Sequence, residues 1–237
     1  MPSLFRYLPD IVASFPSVAG GVIHAPLVAN GPTPPALLDL YRAEQKTVLV
    51  RIGETPLSEL PSLAAWRSAF RKFGIDPTGY RSAAESLLRR LTKKGDIPSI
   101  NTLVDIGNLV SIRYALPVAI FDLGGIAGGI AVKLADGSET FSPLEAPEPE
   151  HPAAGEVVFA DNQNVACARR WCWRQSAQSA AGKHTTSILI TVEAHHANGR
   201  QDIEAALRDL NTLLDQFAPG PRTTGIVDAT TPDFDVE

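Results

Sequence analysis

Cysteine is scarce in this sequence. Cys167 and Cys172 are the only two in 237 residues, too few for a disulfide framework, and no second pair or histidine stands at zinc-finger spacing. No apolar run approaches the ~18 residues that a membrane helix needs, and the opening MPSLFRYLPDIVASFP carries proline and aspartate where a signal peptide needs an apolar stretch. The glycines of GGIAGGIAVKLADG fit neither G-x-G-x-x-G nor a Walker loop. These absences predict a cytoplasmic chain with no bound metal, no cofactor and no membrane attachment.

Positive charge is also in deficit. Against 26 acidic residues stand 21 basic ones, a net charge of −5, which on average disfavours a polyanionic partner. The distribution is uneven, however. Between Trp66 and Lys94 lie Arg67, Arg71, Lys72, Arg81, Arg89, Arg90, Lys93 and Lys94, opposed only by Asp76 and Glu85. Such a cluster reads either as a face for nucleic acid or as a pair of solvated helix surfaces.

What is present suffices for a core: 44% of residues are hydrophobic, and one compact domain over 1–237 is expected. GGVIHAPLVANG and TVLVRIG read as strands with the short helix PPALLDLYRAEQ between them. In LSELPSLAAWRSAFRKFG, Leu63, Trp66, Phe70 and Phe73 recur at helical spacing before Gly74. Ser82 and Glu85 form a capping-box pair ahead of Leu87, Leu88 and Leu91, so a second helix carries the rest of the basic cluster. ADGSETF predicts an Asp-Gly hairpin turn, residues 145–155 an irregular Pro-rich loop, and EVVFAD and TSILITVE two more strands. Alternation in the last puts Ile188, Ile190 and Val192 on one face and Leu189, Thr191 and Glu193 on the other. Ile203, Leu207, Leu210, Leu214 and Phe217 line a C-terminal helix, followed by an acidic tail over 222–237.

Familiar catalytic sets are missing. Nothing in the sequence fixes a cysteine and a histidine in one place. His195 and His196 are adjacent on extended chain and so point to opposite faces. IPSINTLVDIGNLVSIRYALPVAIFD is more suggestive, because a helix over 101–113 puts Asn101, Asp105 and Asn108 on one stripe. A buried polar stripe must be satisfied, either by capping backbone or by lining a wet pocket.

That segment, followed by GSETFSPL, EVVFAD and TSILITVEA, resembles in order and spacing the B3/B4 tRNA-editing domain of the phenylalanyl-tRNA synthetase β subunit, over roughly residues 80–196. The resemblance implies an α+β fold with mixed or antiparallel sheets in a sandwich-like core flanked by helices, with residues 1–60 as an N-terminal extension. It also implies hydrolysis of a mischarged aminoacyl-tRNA in trans. An aminoacyl ester is already activated, so positioned water and electrostatic stabilisation suffice.

Carried over position by position, Glu193 matches the residue that contacts the side chain of the wrong amino acid, and Asn101, Asp105 and Asn108 the polar helix that frames the pocket. Glu193, Asn101 and Asp105 are the candidate catalytic residues. Asn108, Ala119 and Thr191 join Glu193 as substrate contacts, Ala119 standing where the family has a histidine. The family's Gly-rich loop is replaced by VACARRWCWRQS, whose Arg169, Arg170, Trp171, Trp173 and Arg174 can grip phosphates and stack on bases. With Arg89, Arg90, Lys93 and Lys94 they are the expected tRNA contacts, with no obligate protein partner evident. A pocket glutamate without the histidine is most similar to freestanding relatives that clear canavanine from arginine tRNA. Two other readings stay open: a non-catalytic module binding tRNA or an amino acid, and a hydrolase using Cys167 or Cys172.

Overall fold

The strand Ile188–Ala194 is buried along its whole length, and its two faces enter two different cores. In the computed structural model, which describes residues 3–144 and 148–236, Ile188, Ile190 and Val192 pack among helices. Leu189 packs into a second core shared with another sheet. This is the alternation expected from sequence, with no solvent on either side.

In chain order the elements run β1 (Phe5–Tyr7), α1 (Pro9–Ser14), β2 (Ala19–Ala25), α2 (Pro35–Ile52), α3 (Pro61–Lys72), α4 (Ala83–Lys94), α5 (Thr102–Tyr114) and β3 (Val118–Asp122). Then come β4 (Ile130–Leu134), β5 (Val157–Asp161), β6 (Ala166–Arg169), β7 (Arg174–Gln175), β8 (Ile188–Ala194), α6 (Gly199–Phe217), β9 (Thr223–Asp228) and β10 (Asp233–Phe234). One sheet has the order β3-β8-β2-β9 and is antiparallel throughout. The other has the order β10-β1-β4-β5-β6-β7 and is mixed, because β1 runs parallel to β4. Phe5, Val132 and Phe159 of the six-stranded sheet pack with Val22, Phe121 and Leu189 of the four-stranded one. On the far side of the four-stranded sheet, residues of α2, α4, α5 and α6 close the other core. The result is an α+β stack of helices, sheet and sheet.

Local chemistry accounts for several element ends. Ser82 Oγ accepts from the Glu85 amide at 3.3 Å, and Gly95 at φ 82° ends α4 after Lys93 and Lys94. Gly21 of β2 leaves room for the helical layer: a Cβ there would meet Ile203, Leu207 and Val192 side-chain atoms at 2.8 Å.

Three expectations need correction. TVLVRIG, expected as a strand, is the second half of α2. Leu37, Tyr41, Gln45, Val48 and Ile52 are buried at helical spacing, and packing against α5 overrides the modest strand preference of Thr and Val. Asp136 and Gly137 do not close a two-residue hairpin, because the antiparallel partner of β4 is β5, beginning at Val157. The buried Glu139 accepts from both their amides and pairs with Lys133 at 2.6 Å, which steers the chain off the ladder. The acidic tail is not a loose end: β9 edges the four-stranded sheet and β10 the six-stranded one. Of the Pro-rich loop, residues 145–147 lie outside the described residues, and Glu150 bridges to Phe141. Among the described residues no helix is long and apolar enough to cross a membrane.

Because Val227 is fully buried and Phe234 only 7% exposed, truncation after Arg222 is expected to lower the thermal midpoint by 10 °C or more, on the order of the loss of two core side chains. An unchanged midpoint would mean that β9 and β10 contribute nothing to the core.

Candidate functional site

Between the two sheets, where β7 is only two residues long, a narrow cleft opens. Its floor is the inter-sheet face of β3 and β8. Ala119 and Thr191 are cross-strand partners, and Glu193 lies two residues further along the same face, its amide donating to Pro117 O at 3.3 Å. Phe159 and Ala168 of the opposite sheet form the facing wall, and the ring centres of Phe121 and Phe159 are 5.4 Å apart. Trp171, Cys172 and Trp173 of the β6–β7 turn, with Arg174 and Gln175 of β7, close one side, with Ala83 at the start of α4.

Glu193 is 2% exposed. Its Oε1 accepts from the Tyr7 hydroxyl at 2.7 Å and from Trp171 Nε1 at 3.0 Å, while Oε2 has no donor among the described residues. Burial pushes its carboxyl up to about 7 from the ordinary 4.5, and the Trp171 and Tyr7 hydrogen bonds only partly oppose that rise. Burial, and then the charge of Glu193, hold the Tyr7 phenol well above its usual range, so it remains a donor. Thr191 is also buried on this face, and its hydroxyl has no described hydrogen-bond partner. The cleft is thus largely apolar, with a carboxyl and a hydroxyl at its base, Arg174 at its mouth and Gln175, its amide tied to backbone carbonyls, on the rim.

The turn that brings Trp171 inward is strained. Arg170 and Trp171 both adopt left-handed backbone, with φ of 44° and 59°, a conformation costing roughly 1–2 kcal/mol for each non-glycine residue. Contacts on every side compensate. The Trp171 amide donates to Val157 O at 2.7 Å, the Arg170 amide to Glu156 Oε1 at 2.9 Å, and Gln175 Nε2 anchors the rim to Ile120 O and Ser179 O.

The structure gathers only some of the candidate residues into this cleft. Ala119, Thr191, Glu193, Trp171 and Arg174 line it. Asn101, Asp105 and Asn108 do not, because α5 packs on the other face of the four-stranded sheet. Asn101 is the N-cap of α5, accepting from Val104 N at 3.0 Å. Asp105, fully buried, accepts from Thr33 Oγ1 at 2.6 Å, from Ile100 N at 2.9 Å and from Ser99 Oγ. Asn101 and Asp105 thus spend their buried oxygens fastening the start of α5 to neighbouring loops, the capping alternative the sequence left open, while Asn108 is half-buried on the same helix.

The expected tRNA contacts divide in the same way. Arg169 is interior, its guanidinium bonded to both oxygens of Glu156 at 2.9 and 3.0 Å and paired with Glu150. Trp171 is fully buried. Neither can face RNA, because each spends its polar groups on a buried carboxylate. Arg170 is half-buried, its guanidinium 3.9 Å from the Tyr80 ring centre and 4.4 Å from that of Trp173. Arg174, Arg89, Arg90, Lys93 and Lys94 are exposed.

The two histidines separate as adjacent strand-end residues should. His196 bonds Asp202 at 2.7 Å, whereas His195 sits among Trp66, Trp171 and Phe15, and burial depresses it to about 3. Burial lifts the Cys167 thiol to about 12, and burial with the Glu193 charge holds Cys172 well above its usual range. Both stay protonated thiols, poor nucleophiles. Tyr7 escapes sequence reasoning altogether: it lies 186 residues from Glu193, and no local pattern links them.

A helix-backed sandwich with one polar spot in an interlayer cleft is the class that fold and site define. The chain belongs to the B3/4 domain family, whose model matches residues 65–211, more than half of its length. Among curated proteins it is 33% identical over 104 residues to the phenylalanine–tRNA ligase beta subunit of Vibrio vulnificus strain YJ016, covering 44% of this chain and 13% of that protein. The corresponding subunit of Shewanella oneidensis is 30% identical over 88 residues, 37% of this chain and 11% of that protein. The chain thus aligns with only a small part of these relatives. Among solved structures, an N-terminal fragment of the phenylalanyl-tRNA synthetase beta subunit from Pyrococcus horikoshii aligns with a TM-score of 0.45 at 12% identity, over 94% of this chain and 49% of that one.

A raised carboxyl is a stability term. Glu193 binds its proton more tightly folded than unfolded, so its contribution is complete below pH 4.5 and is lost as pH rises to about 7. Glu193→Gln should remove that decline and be the more stable protein at pH 8, on the order of 2–3 kcal/mol, with little difference at pH 4.5. Parallel pH–stability curves for the two proteins, measured by urea denaturation, would refute this.

Proposed function

We propose that this chain is a trans-editing aminoacyl-tRNA deacylase, hydrolysing the ester of a mischarged tRNA with water as the nucleophile, and that canavanyl-tRNA(Arg) is its favoured substrate. The observation that carries this reading is a single carboxyl, free at one oxygen, at the base of a largely apolar cleft. Such a floor recognises a side chain that ends in hydrogen-bond donors. It favours one that sheds its charge at modest cost, because burying a full cation in an apolar site is expensive. The oxyguanidine of canavanine is less basic than the guanidinium of arginine, since its oxygen withdraws electrons. A protonated or ionised Glu193 can share protons with the former, whereas cognate arginine must bring a full charge into the cleft.

The ester then lies toward the mouth, where Arg174 stands ready to neutralise phosphate or developing negative charge. A route for the rest of the tRNA begins there. Ala83 lines the cleft and its amide donates to Cys172 O at 2.8 Å. From that point α4 leads away for its 12 residues, about 18 Å, carrying exposed Arg89, Arg90, Lys93 and Lys94. Nearby, Arg67 and Arg81 share Glu85 at 2.6 and 3.7 Å, so the solvent-facing charge of this ridge comes mainly from α4.

Deacylation of a panel of mischarged tRNAs tests the proposal, with canavanyl-, arginyl-, tyrosyl- and seryl-tRNA as substrates. Canavanyl-tRNA is expected to be lost rapidly, arginyl-tRNA to be spared, and Glu193→Ala to abolish turnover while tRNA affinity is kept. If every ester outlasts the buffer control and tRNA still binds, the chain is a non-catalytic binding module. Replacing Arg89, Arg90, Lys93 and Lys94 with alanine should weaken tRNA binding and reduce the slope of log affinity against log salt by roughly 3. An unchanged slope would remove α4 from the RNA path.

A further inference from the structure

Residues 65–211, the family-matched segment, do not contain everything that surrounds Glu193. On β1, Tyr7 ends a strand parallel to β4, and its hydroxyl crosses the inter-sheet space to reach Glu193 Oε1. This approach depends on Gly20, which is the cross-strand partner of Glu193 on β2. A Cβ at position 20 would lie 2.5 Å from the Tyr7 hydroxyl, too close for that oxygen to stay where it is. From the other side, the strained turn delivers Trp171 Nε1 to the same oxygen.

We infer that Tyr7 and Trp171 are positioning residues for Glu193, clamping Oε1 from β1 and from the β6–β7 turn so that Oε2 alone is presented to whatever enters the cleft, and that the working site therefore extends into the N-terminal segment outside the family match. A lone carboxyl on a strand can rotate about its last bond and offer either oxygen. Two donors converging on one oxygen from different elements remove that freedom, which pre-organises the acceptor. Glycine at position 20 is the cost of the arrangement in sequence.

The other groups around Glu193 do not substitute for this clamp. Thr191 lies on the same strand face, Cys172 comes from the turn and Arg174 from β7. His195, just past the end of β8, packs its ring 4.8 Å from that of Trp171 and is neutral. Phe159 faces from the opposite sheet and Ala83 from α4. Both clamp bonds favour the ionised carboxyl, so removing one moves its titration upward.

The activity arm of the test rests on the deacylase reading; the spectroscopic arm does not. In ¹⁵N-labelled protein without tRNA, the Trp171 indole N–H resonance is expected to titrate with Glu193 near pH 7 and to lose that titration in Glu193→Gln. In Tyr7→Phe the midpoint should rise by about one pH unit, as the loss of a hydrogen bond to a charged group implies. Gly20→Ala, which crowds the hydroxyl without deleting it, should move the midpoint the same way and guards against a Tyr7→Phe protein that fails to fold. If deacylation is observed, the ionisation seen in its pH–rate profile should shift in parallel in both variants. An indole silent between pH 5 and 9 in the wild type would overturn the inference, as would folded Tyr7→Phe and Gly20→Ala proteins titrating like the wild type. A titrating indole in a protein that hydrolyses no ester would keep the clamp and reject only the deacylase.

Discussion

Holding one carboxyl group between two sheets is the constraint on which the rest of the arrangement depends. Burial by itself would leave Glu193 protonated and unconstrained. Tyr7 and Trp171 answer with two hydrogen bonds to the same oxygen, and each has its own requirement. Tyr7 needs Gly20 to vacate the space beside its hydroxyl. Trp171 needs two successive left-handed residues, which persist because the turn is tied to Val157, Glu156, Ile120 and Ser179. Strain of this kind gathers where structure is committed to presenting a group.

The layered fold makes such a site possible. The four-stranded sheet has helices on one face and the other sheet on the opposite face, so alternate residues of β8 belong to different environments. Ile188, Ile190 and Val192 anchor the helices, while Thr191 and Glu193 are left to floor the cleft. Polar residues on the helical side have a separate task. Asn101 and Asp105 fasten the start of α5 to the loops around Asn30, Thr33, Ser99 and Ala181, and their oxygens are spent on that.

Charge is sorted by the same logic. Interior arginines meet interior glutamates, as Arg169 meets Glu156, since an unpaired buried ion would cost far more than the pair. Exposed Arg89, Arg90, Lys93 and Lys94 cluster on α4, with Arg174 at the cleft mouth, on a protein whose net charge is −5. An acidic chain can in this way keep one local positive ridge that begins at its cleft.

Much of this was legible in the sequence. Period-two alternation located β8 and put Glu193 opposite its aliphatic face, helical spacing found α3 and α6, and the Ser82–Glu85 box found the start of α4, because these signals lie within a few residues of chain. Local signals failed where distant packing decided. Thr47 to Arg51 became helix because α5 lies against them, and the acidic tail became two edge strands because each sheet had an edge to fill. Arg169 and Trp171 read as RNA contacts but fold inward onto glutamates 13 and 22 residues away. The sequence alone determined which residue types and strand faces were available for a polar-floored cleft. Only the tertiary structure decided that Tyr7, 186 residues from Glu193, completes it, because a hydrogen bond between different sheets leaves no periodicity or spacing to be read.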